Sequence, residues 1–232
     1  MILDEKTWDY LTGAEFSNGG MFDAGTGDVV ARNALIAELA RNKRVLHVGC
    51  ADHAPLIEAK RASGVYLHDL ITRHAGSVTG LDVNKDALDD MRRLGITELY
   101  TPSTLPGDRT FDLVIAADVI EHVSDVGRFL RSLAAHGAPV LVTTPNALRL
   151  HNRRLWTAEH VNTDHRYWFS PYTLAKSLVD ADLLPTSFWY TDVARFTRGA
   201  LLRPWDVVLK RRYPLCRDGL AVLAEPKTPN ES

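Results

Sequence analysis

The stretch FDLVIAAD, residues 111–118, decides the fold class of this chain. Its apolar residues form a nearly continuous run, whereas a strand with one wet face would alternate apolar and polar residues. Strands of a parallel sheet that is covered by helices on both faces show such runs. The stretch therefore predicts a buried strand of an α/β domain.

Short apolar runs alternate with helical patterns on either side of this strand. The other predicted strands are RVLHVG (44–49), SVTGLDV (77–83), ITELY (96–100), APVLVTTP (138–145), TSFWYTD (186–192) and GLAVLAEP (219–226). The predicted helices cover 29–42, 54–63, 65–75, 85–95, 124–137 and 170–183. This alternation predicts an α/β domain with a doubly wound parallel sheet and helices on both faces.

The ends of the predicted helices carry recognisable capping residues. We expect Asp28 or Thr26 to cap the first helix and Ser124 to cap the helix over 124–137. Ser170 should cap the last helix, with Pro171 at its first position. Gly95 should close the helix over 85–95.

Composition excludes several classes of protein. The chain has 232 residues and a net charge of −2, so it lacks the overall basic charge typical of nucleic-acid-binding proteins. Cys50 and Cys216 are too few for a disulfide framework. The N-terminus, MILDEKTWDY, has early acids and no apolar run, and no stretch approaches the about 20 apolar residues of a membrane span. We expect a soluble, cytoplasmic protein whose oligomeric state the sequence does not predict.

We interpret residues 1–232 as a single domain. Residues 1–27 form an N-terminal segment or lid, and its Gly-rich part predicts a loop. Residues 193–217 form a basic insertion between the last two strands.

Ligands in such sheets bind at the carboxyl ends of the strands. After the first strand, Gly49 allows a sharp turn and a close approach of a ligand, and the small Cys50 and Ala51 leave space there. The alternative is a tight turn without a ligand. At the end of the second strand, the Asp82 carboxylate could accept two hydrogen bonds from a ribose diol, as in dinucleotide folds. Its alternative role is to cap the following helix.

The strand over 111–118 ends in Asp118, which should line the floor of the cleft. Glu121 and His122 follow it directly. These two residues either line the same cleft or form the solvated, capped start of the next helix.

The connection over 143–171 is long, and long ordered loops are usually functional. It is rich in polar and aromatic residues: Asn146, His151, Trp156, His160, Asn162, Asp164, His165, Tyr167 and Trp168. A histidine here could serve as a general base, since its ordinary pKa lies near neutrality. Loop hydrogen bonding is the alternative for His160 and His165, and core packing for Trp168. His160, Asp164 and His165 lack a helical spacing of two ligands, so we predict no metal site.

Several of these stretches together resemble class I S-adenosylmethionine-dependent methyltransferases, over about residues 28–190. They are VLHVGCADH (45–53), TGLDVNKDAL (79–88) and FDLVIAADVIEHVSDVGRFL (111–130). DHRYWFSPYTLAKSLVDADL (164–183) also looks like a segment of the small-molecule members. VLHVGCAD followed by LHDLI more loosely resembles methyltransferases found beside sugar and polysaccharide biosynthesis genes.

The resemblance implies a doubly wound, mostly parallel, seven-stranded Rossmann-like sheet with an antiparallel last strand. It also implies S-adenosyl-L-methionine as the cofactor and a role for each matching residue. Gly49 and Cys50 would let its methionine part lie against the loop, with Ala51 as a further cofactor contact, and Asp118 and Val119 would lie beneath its methionine end. Asp82 would hold the ribose, with Val83 beside the adenine, and Ser103 or Thr104 would contact the adenine edge. His47 stands where the family often has an acid, so it is either a cofactor contact or a buried, hydrogen-bonded histidine. Ala51 and His53 replace glycines of the family pattern.

The resulting hypothesis is methyl transfer to a nucleophilic oxygen of a small acceptor, with a sugar hydroxyl favoured. His165 and then His160 are the candidate catalytic bases, Asp164 is the candidate orienting residue, and His122 is a third candidate base.

The 193–217 insertion is rich in cations, with Arg195, Arg198, Arg203, Lys210, Arg211, Arg212 and Arg217. It predicts either a solvated basic helix or a dock for a phosphorylated acceptor, a lipid-linked acceptor or a membrane surface. We expect no nucleic-acid partner.

Two other functions stay open from the sequence. An NAD-dependent oxidoreductase would share the fold and Asp82, but the first loop lacks the full G-x-G-x-x-G spacing. A binding or regulatory protein could keep the fold without catalysis, since a fold does not determine chemistry. A methyltransferase acting on a lipid or phenolic acceptor is a further alternative.

Overall fold

The computed structural model describes residues 5–22, 28–52, 54–153, 161–192, 208–210 and 212–227. Within these ranges, eight strands form one sheet in the order β1-β7-β8-β6-β5-β2-β3-β4. The strands are β1 (Asp28–Ala31), β2 (Arg44–Val48), β3 (Ser77–Leu81), β4 (Leu99–Tyr100), β5 (Leu113–Ala117), β6 (Val140–Pro145), β7 (Leu183–Asp192) and β8 (Gly219–Pro226).

Parallel pairing dominates this sheet, as predicted. β2, β3, β4, β5 and β6 pair in parallel, and β1 pairs in parallel with β7. β8 runs antiparallel to both β6 and β7, which confirms the antiparallel last strand.

The described sheet has one strand more than the seven predicted, and the additional strand is β1. Its residues were predicted as the start of a helix over 29–42, but Val29 and Val30 extend the sheet by pairing with Tyr190 and Thr191 of β7. The β-branched side chains favour this extended conformation. The helix starts only at Arg32, and Ala31 precedes it without a side-chain cap, so the predicted cap at Asp28 is wrong. The other predicted cap, Thr26, lies outside the described residues.

Helices surround the sheet within the described residues. They are α1 (Glu5–Thr12), α2 (Arg32–Ala40), α3 (Ala54–Ala62), α4 (Leu67–His74), α5 (Lys85–Arg93), α6 (Val126–Ala134), α7 (Leu150–Arg153) and α8 (Pro171–Val179). None of the described helices is long and apolar enough to cross a membrane.

Three of the predicted helix ends can be compared with the structure. The Ser170 hydroxyl accepts from the amide of Thr173 at 3.2 Å, with Pro171 in the first turn of α8, as predicted. Gly95 follows α5 with a φ of +82°, also as predicted. The cap at Ser124 is wrong, because the Asp125 carboxylate accepts from the amide of Arg128 at 2.8 Å instead.

Strand β5 is buried on both faces, which confirms the interpretation of its apolar run. Leu113 and Ile115 belong to a core that contains Leu35 and Ile36 of α2 and Ile71 of α4. Val114 and Ala116 face the opposite core, which α6 and α8 cover with Leu130, Leu133, Leu174 and Leu178. Successive strand residues point to opposite faces, so each helical layer covers alternate residues of β5.

Candidate active site

A cleft of about 1850 Å³ opens at the carboxyl ends of β2, β3 and β5. Gly49 after β2, Asp82 after β3 and Asp118 after β5 all line it. Parallel α/β sheets bind their ligands at this edge. None of the described residues of the predicted N-terminal lid lines the cleft; instead Leu11 of α1 is buried against Ala175 of α8.

The turn after β2 depends on a glycine. Gly49 has a φ of +69°, in the left-handed region that disfavours residues with a side chain. Its amide donates to the Leu81 carbonyl at 2.8 Å, and a Cβ at this position would overlap Cγ2 of Val119. The turn therefore packs directly on the loop after β5.

Cys50 and Ala51 continue this turn along the cleft. The Cys50 carbonyl accepts from the Tyr66 hydroxyl at 2.9 Å. Burial raises the pKa of the Cys50 thiol, so the sulfur stays protonated and is not a nucleophile at neutral pH. The Ala51 amide donates to Oδ2 of Asp82 at 3.0 Å, which joins the turn after β2 to the end of β3.

Asp82 and Val83 stand side by side in the cleft. Oδ1 of Asp82 accepts from the Asn84 amide at 2.9 Å, so each carboxylate oxygen already holds one main-chain amide and keeps a second lone pair. Asp82 is not the helix cap, because the Asn84 side chain caps α5. Val83 is 83% exposed, and an exposed apolar side chain in a cleft suits a flat apolar ligand group.

Ser103 and Thr104 lie in the turn after β4. Both hydroxyls are within 3.0 Å of the Thr101 hydroxyl, so they stabilise the turn itself. Their neighbours Pro102 and Leu105 line the cleft, whereas Ser103 and Thr104 do not.

Asp118 occupies a constrained position after β5. Its φ is +55°, an uncommon value for a non-glycine residue that often marks functional sites. Oδ2 pairs with Nη1 of Arg32, and Oδ1 accepts from the Thr143 hydroxyl at 2.9 Å. Arg32 also lines the cleft. Sequence reasoning missed Arg32, and no local pattern marks a partner 86 positions away.

His47 lies in β2 and lines the cleft. It is buried, and its Nδ1 lies 3.1 Å from Nδ1 of His68 in α4. Burial, then the neighbouring His68 and then Arg32 lower the pKa of His47, and burial lowers that of His68 to about 4. One ring donates and the other accepts, so the pair is neutral at pH 7.

Glu121 is only 1% exposed, so its interpretation as part of a solvated helix start is wrong. Its Oε2 accepts from the Thr144 hydroxyl at 3.0 Å, while Oε1 is buried without a hydrogen-bond partner. Burial, together with the charge of Asp118, raises the pKa of Glu121 to about 8. The other interpretation, that Glu121 lines the cleft, also fails, because His122 lines it and Glu121 does not.

His122 lines the cleft, and His165 packs against His122 without itself lining the cleft. Their ring centroids lie 4.7 Å apart at an interplanar angle of 89°. Nδ1 of His122 lies 3.0 Å from the Asp164 carbonyl, so Asp164 orients His122 through its main chain. Nδ1 of His165 is buried without a partner. Burial, His122 and Arg149 lower the pKa of His165 and favour its neutral form.

The described part of the long connection is held against the loop after β5. The amide of Arg166 donates to the Glu121 carbonyl at 2.7 Å, and the Tyr167 hydroxyl donates to the Ser124 carbonyl at 3.0 Å. These contacts bring His165 to Glu121 and His122. His160 and Trp156, which the sequence also selected, lie outside the described residues.

The basic insertion is described only in part. Lys210 pairs with Asp218 at 2.6 Å and with Asp192 at 3.6 Å, and Arg217 also pairs with Asp192. Arg212 lies over the Tyr213 ring at 5.4 Å. Two of the cations predicted to bind an anionic partner therefore pair with acids of the chain. The others, Arg195, Arg198, Arg203 and Arg211, lie outside the described residues.

Comparisons with known proteins identify the family. Residues 24–186 match the methyltransferase-domain family. No curated protein matches the chain significantly.

Solved structures share the fold at low identity. One is a protein assigned as a methyltransferase in complex with the Haloferax volcanii Trm112 activator, with 16% identity, a TM-score of 0.55, and coverage of 86% of this chain and 90% of that chain. A protein from Listeria monocytogenes assigned as an S-adenosylmethionine-dependent methyltransferase has 12% identity, a TM-score of 0.51, and coverages of 84% and 96%. Such a methyltransferase from Mesorhizobium loti has 16% identity, a TM-score of 0.50, and coverages of 83% and 95%.

The family match covers most of the chain, from β1 into β7, and includes every strand end that lines the cleft except that of β7. Because the matched family is one of methyltransferases, the match decides against the alternative of an NAD-dependent oxidoreductase. The chain therefore belongs to the methyltransferase-domain family and is a class I methyltransferase with S-adenosylmethionine as its cofactor.

Proposed function

We propose that this methyltransferase O-methylates a small hydroxylated molecule, with a sugar-containing or phosphorylated metabolite as the first candidate class. The observation that carries this proposal is a pair of imidazoles: His122 lines the cleft together with Asp118, and His165 packs against His122. The preference for a sugar rests on the looser sequence resemblance.

The cleft residues suit S-adenosylmethionine, which supplies a methyl group activated by a positively charged sulfur. Asp82 keeps one lone pair on each carboxylate oxygen, enough to accept from the two hydroxyls of a ribose. Val83 offers an exposed apolar side chain for the adenine. The turn at Gly49, Cys50 and Ala51 would hold the methionine part. On this placement, Pro102 and Leu105 approach the adenine edge in place of Ser103 and Thr104.

Methylation of a hydroxyl requires that its proton leaves. The lowered pKa of His165 keeps the imidazole neutral at pH 7, so the ring can take the proton as the oxygen–carbon bond forms and the carbon–sulfur bond breaks. His122 is held in one orientation by the Asp164 carbonyl and would position the acceptor hydroxyl. The protein otherwise contributes proximity and orientation, which account for a large part of such rate enhancements.

The first experiment is a calorimetric titration with S-adenosylhomocysteine, the product form of the cofactor. Binding that is lost in Asp82→Ala would support the assignment of the cleft. Release of S-adenosylhomocysteine should then be measured with nucleotide sugars and glycosides, and afterwards with phenols and lipid-linked acceptors.

The His165→Ala variant tests the proton acceptor. We expect a lower kcat with an unchanged affinity for S-adenosylhomocysteine, whereas His74→Gln, a histidine of α4 that does not line the cleft, should keep both. Binding without turnover on every acceptor class would overturn the proposal and favour a binding or regulatory role.

A further inference from the structure

We propose that Glu121, His122 and His165 bind a divalent transition-metal ion, for which zinc is the best match. One ligand atom from each of the three residues lies within 4.8 Å of the other two. Three donors that surround one ion at about 2.0–2.2 Å lie at separations below this limit. Side chains from two distant parts of the chain thus converge on one point.

Two of the three residues each have a potential ligand atom that lacks any other partner. Oε1 of Glu121 and Nδ1 of His165 are buried side-chain atoms without a hydrogen bond. Such atoms are rare in folded proteins, because a buried polar group without a partner destabilises the fold. An ion between them would satisfy both atoms at once.

The remaining polar atoms of the cluster have partners that orient the ligands. Oε2 of Glu121 accepts from the Thr144 hydroxyl, so Oε1 is the oxygen left over. Nδ1 of His122 donates to the Asp164 carbonyl, which leaves the lone pair on Nε2. Metal-binding histidines and carboxylates in proteins typically have such outer contacts, which fix the ring tautomer and the ligand orientation.

The donor set selects the kind of metal. Two imidazole nitrogens and one carboxylate oxygen form the protein ligands of many catalytic zinc sites, and the same set suits iron(II). Magnesium and calcium prefer oxygen donors, so they fit less well. Three protein ligands would leave at least one coordination position open on zinc. His122 lines the cleft, so an open position is accessible from it.

The catalytic meaning of this site rests on the proposed function. A hydroxyl bound to a divalent metal loses its proton more easily, because the positive charge stabilises the alkoxide. His165 would then be a ligand, and the acceptor proton would pass to water. The metal would also orient the acceptor oxygen, which deepens the O-methylation proposal.

The test is a calorimetric titration of the chelator-treated full chain with zinc chloride alone. We expect one site per chain, and Glu121→Gln, His122→Ala and His165→Ala should each weaken binding at least about tenfold, since even outer-contact residues change metal affinity by this factor. Cobalt(II) should give visible absorption bands that are lost in the same variants. His74→Gln should leave zinc affinity unchanged.

Circular dichroism of each variant separates loss of the site from loss of the fold, and Glu121→Gln keeps the size of the side chain. Absence of zinc and cobalt binding, or binding that none of the three variants weakens, would overturn the metal proposal. Turnover that stops on chelation and returns with zinc would support a catalytic metal. No metal binding together with turnover that requires His165 would overturn the metal site but keep the proposed function.

Discussion

Arg32 at the start of α2 and Asp118 after β5 form an ion pair at the wall of the cleft. The pair connects the first helix after the edge strand with the centre of the sheet. The Thr143 hydroxyl holds the other oxygen of Asp118 at 2.9 Å, so the carboxylate has a defined orientation. Because Asp118 is an anion and Arg32 a cation, the two residues should change the affinity of the cleft for a charged cofactor in opposite directions.

The first prediction concerns the opposite effects of Asp118 and Arg32 on the binding of a positively charged ligand. S-adenosylmethionine carries a positive sulfur that S-adenosylhomocysteine lacks, so Asp118→Asn should weaken binding of the first more than binding of the second. Arg32→Met should shift the ratio of the two dissociation constants the other way. Each shift should be about fivefold, which corresponds to about 1 kcal/mol for charges in a largely aqueous cleft. Calorimetry with both ligands measures the ratio, and equal ratios in the two variants would contradict the placement of the sulfur.

The second prediction concerns Asp82. Asp82→Ala removes both the expected ribose contact and the acceptors for the amides of Ala51 and Asn84. We expect at least about a tenfold loss of affinity for S-adenosylhomocysteine and a free energy of unfolding lower by about 1–3 kcal/mol. Asp82→Asn keeps one acceptor oxygen, so it should retain more of the affinity for S-adenosylhomocysteine and more of the free energy of unfolding. Titration and chemical denaturation of the two variants give these values, and full affinity in Asp82→Ala would exclude the ribose contact.

The third prediction separates backbone strain from close packing at Gly49. Gly49→Ala and Gly95→Ala each place a Cβ at positive φ, which costs about 1–2 kcal/mol. A Cβ at Gly95 meets nothing within 4 Å, whereas one at Gly49 would overlap Val119. Chemical denaturation should therefore show a larger loss for Gly49→Ala, by at least about 1 kcal/mol. Equal losses would mean that the loop after β5 moves aside freely.

The sequence was informative where burial leaves a local pattern. The apolar run over 113–116 predicted a strand buried on both faces, because each of its side chains packs against one of two helical layers. The capping pattern of Ser170 and Pro171 is also local, and it was predicted correctly. Strand β1 was not predicted, because four residues acquire strand character only by pairing with β7, more than 150 positions away.

In the candidate site, too, the sequence predicted the residues that a local pattern marks and missed features that depend on tertiary contacts. Asp82 and Gly49 were selected because they lie at the carboxyl ends of predicted strands. The burial of Glu121 was not predicted, since it arises when the segment around Arg166 folds back and donates its amide to the Glu121 carbonyl. The pairing of Arg32 with Asp118 likewise depends on tertiary contacts between residues distant in the chain.

The fourth prediction is a pH dependence of stability that arises at His68. The pKa of His68 is about 4 in the folded protein and about 6.5 in the unfolded chain. Burial dominates this shift, with Asp69 opposing it and Arg61 adding to it. As the pH falls from about 6.5 towards 4, the unfolded chain takes up a proton that the folded protein does not. The free energy of unfolding should therefore decrease over this window, by up to about 3 kcal/mol.

Denaturation curves between pH 7 and pH 4.5 measure this effect. His68→Gln keeps a hydrogen-bonding group beside His47 but removes the titrating ring, so its stability should fall less steeply with acid. His136→Gln removes a second histidine whose pKa burial lowers, on a ring that packs on Phe111 away from the His47–His68 pair, so its stability should also fall less steeply with acid and the two effects should add. Parallel curves for the wild-type protein and His68→Gln would contradict the prediction.

The fifth prediction concerns Asn146, which anchors the start of the long connection that carries His165. Asn146 is fully buried, and its side-chain amide donates to the carbonyls of Leu215 and Arg217 at 2.9 and 3.0 Å. Its oxygen accepts from the amide of Leu148 at 2.9 Å. Asn146→Ala should lower the free energy of unfolding by about 2–4 kcal/mol, because it removes three hydrogen bonds and leaves buried main-chain groups without partners.

Asn152→Ala is the control for this prediction, because Asn152 is only partly buried and bonds within the same short segment, to Ala147 and Arg149. We expect a loss of about 1 kcal/mol or less for this variant. Asn146→Ala should also lower turnover, since the connection that it anchors places His165 beside Glu121. Chemical denaturation and initial rates measure both effects. Equal stability losses in the two variants would show that Asn146 holds the connection no more firmly than a surface hydrogen bond does.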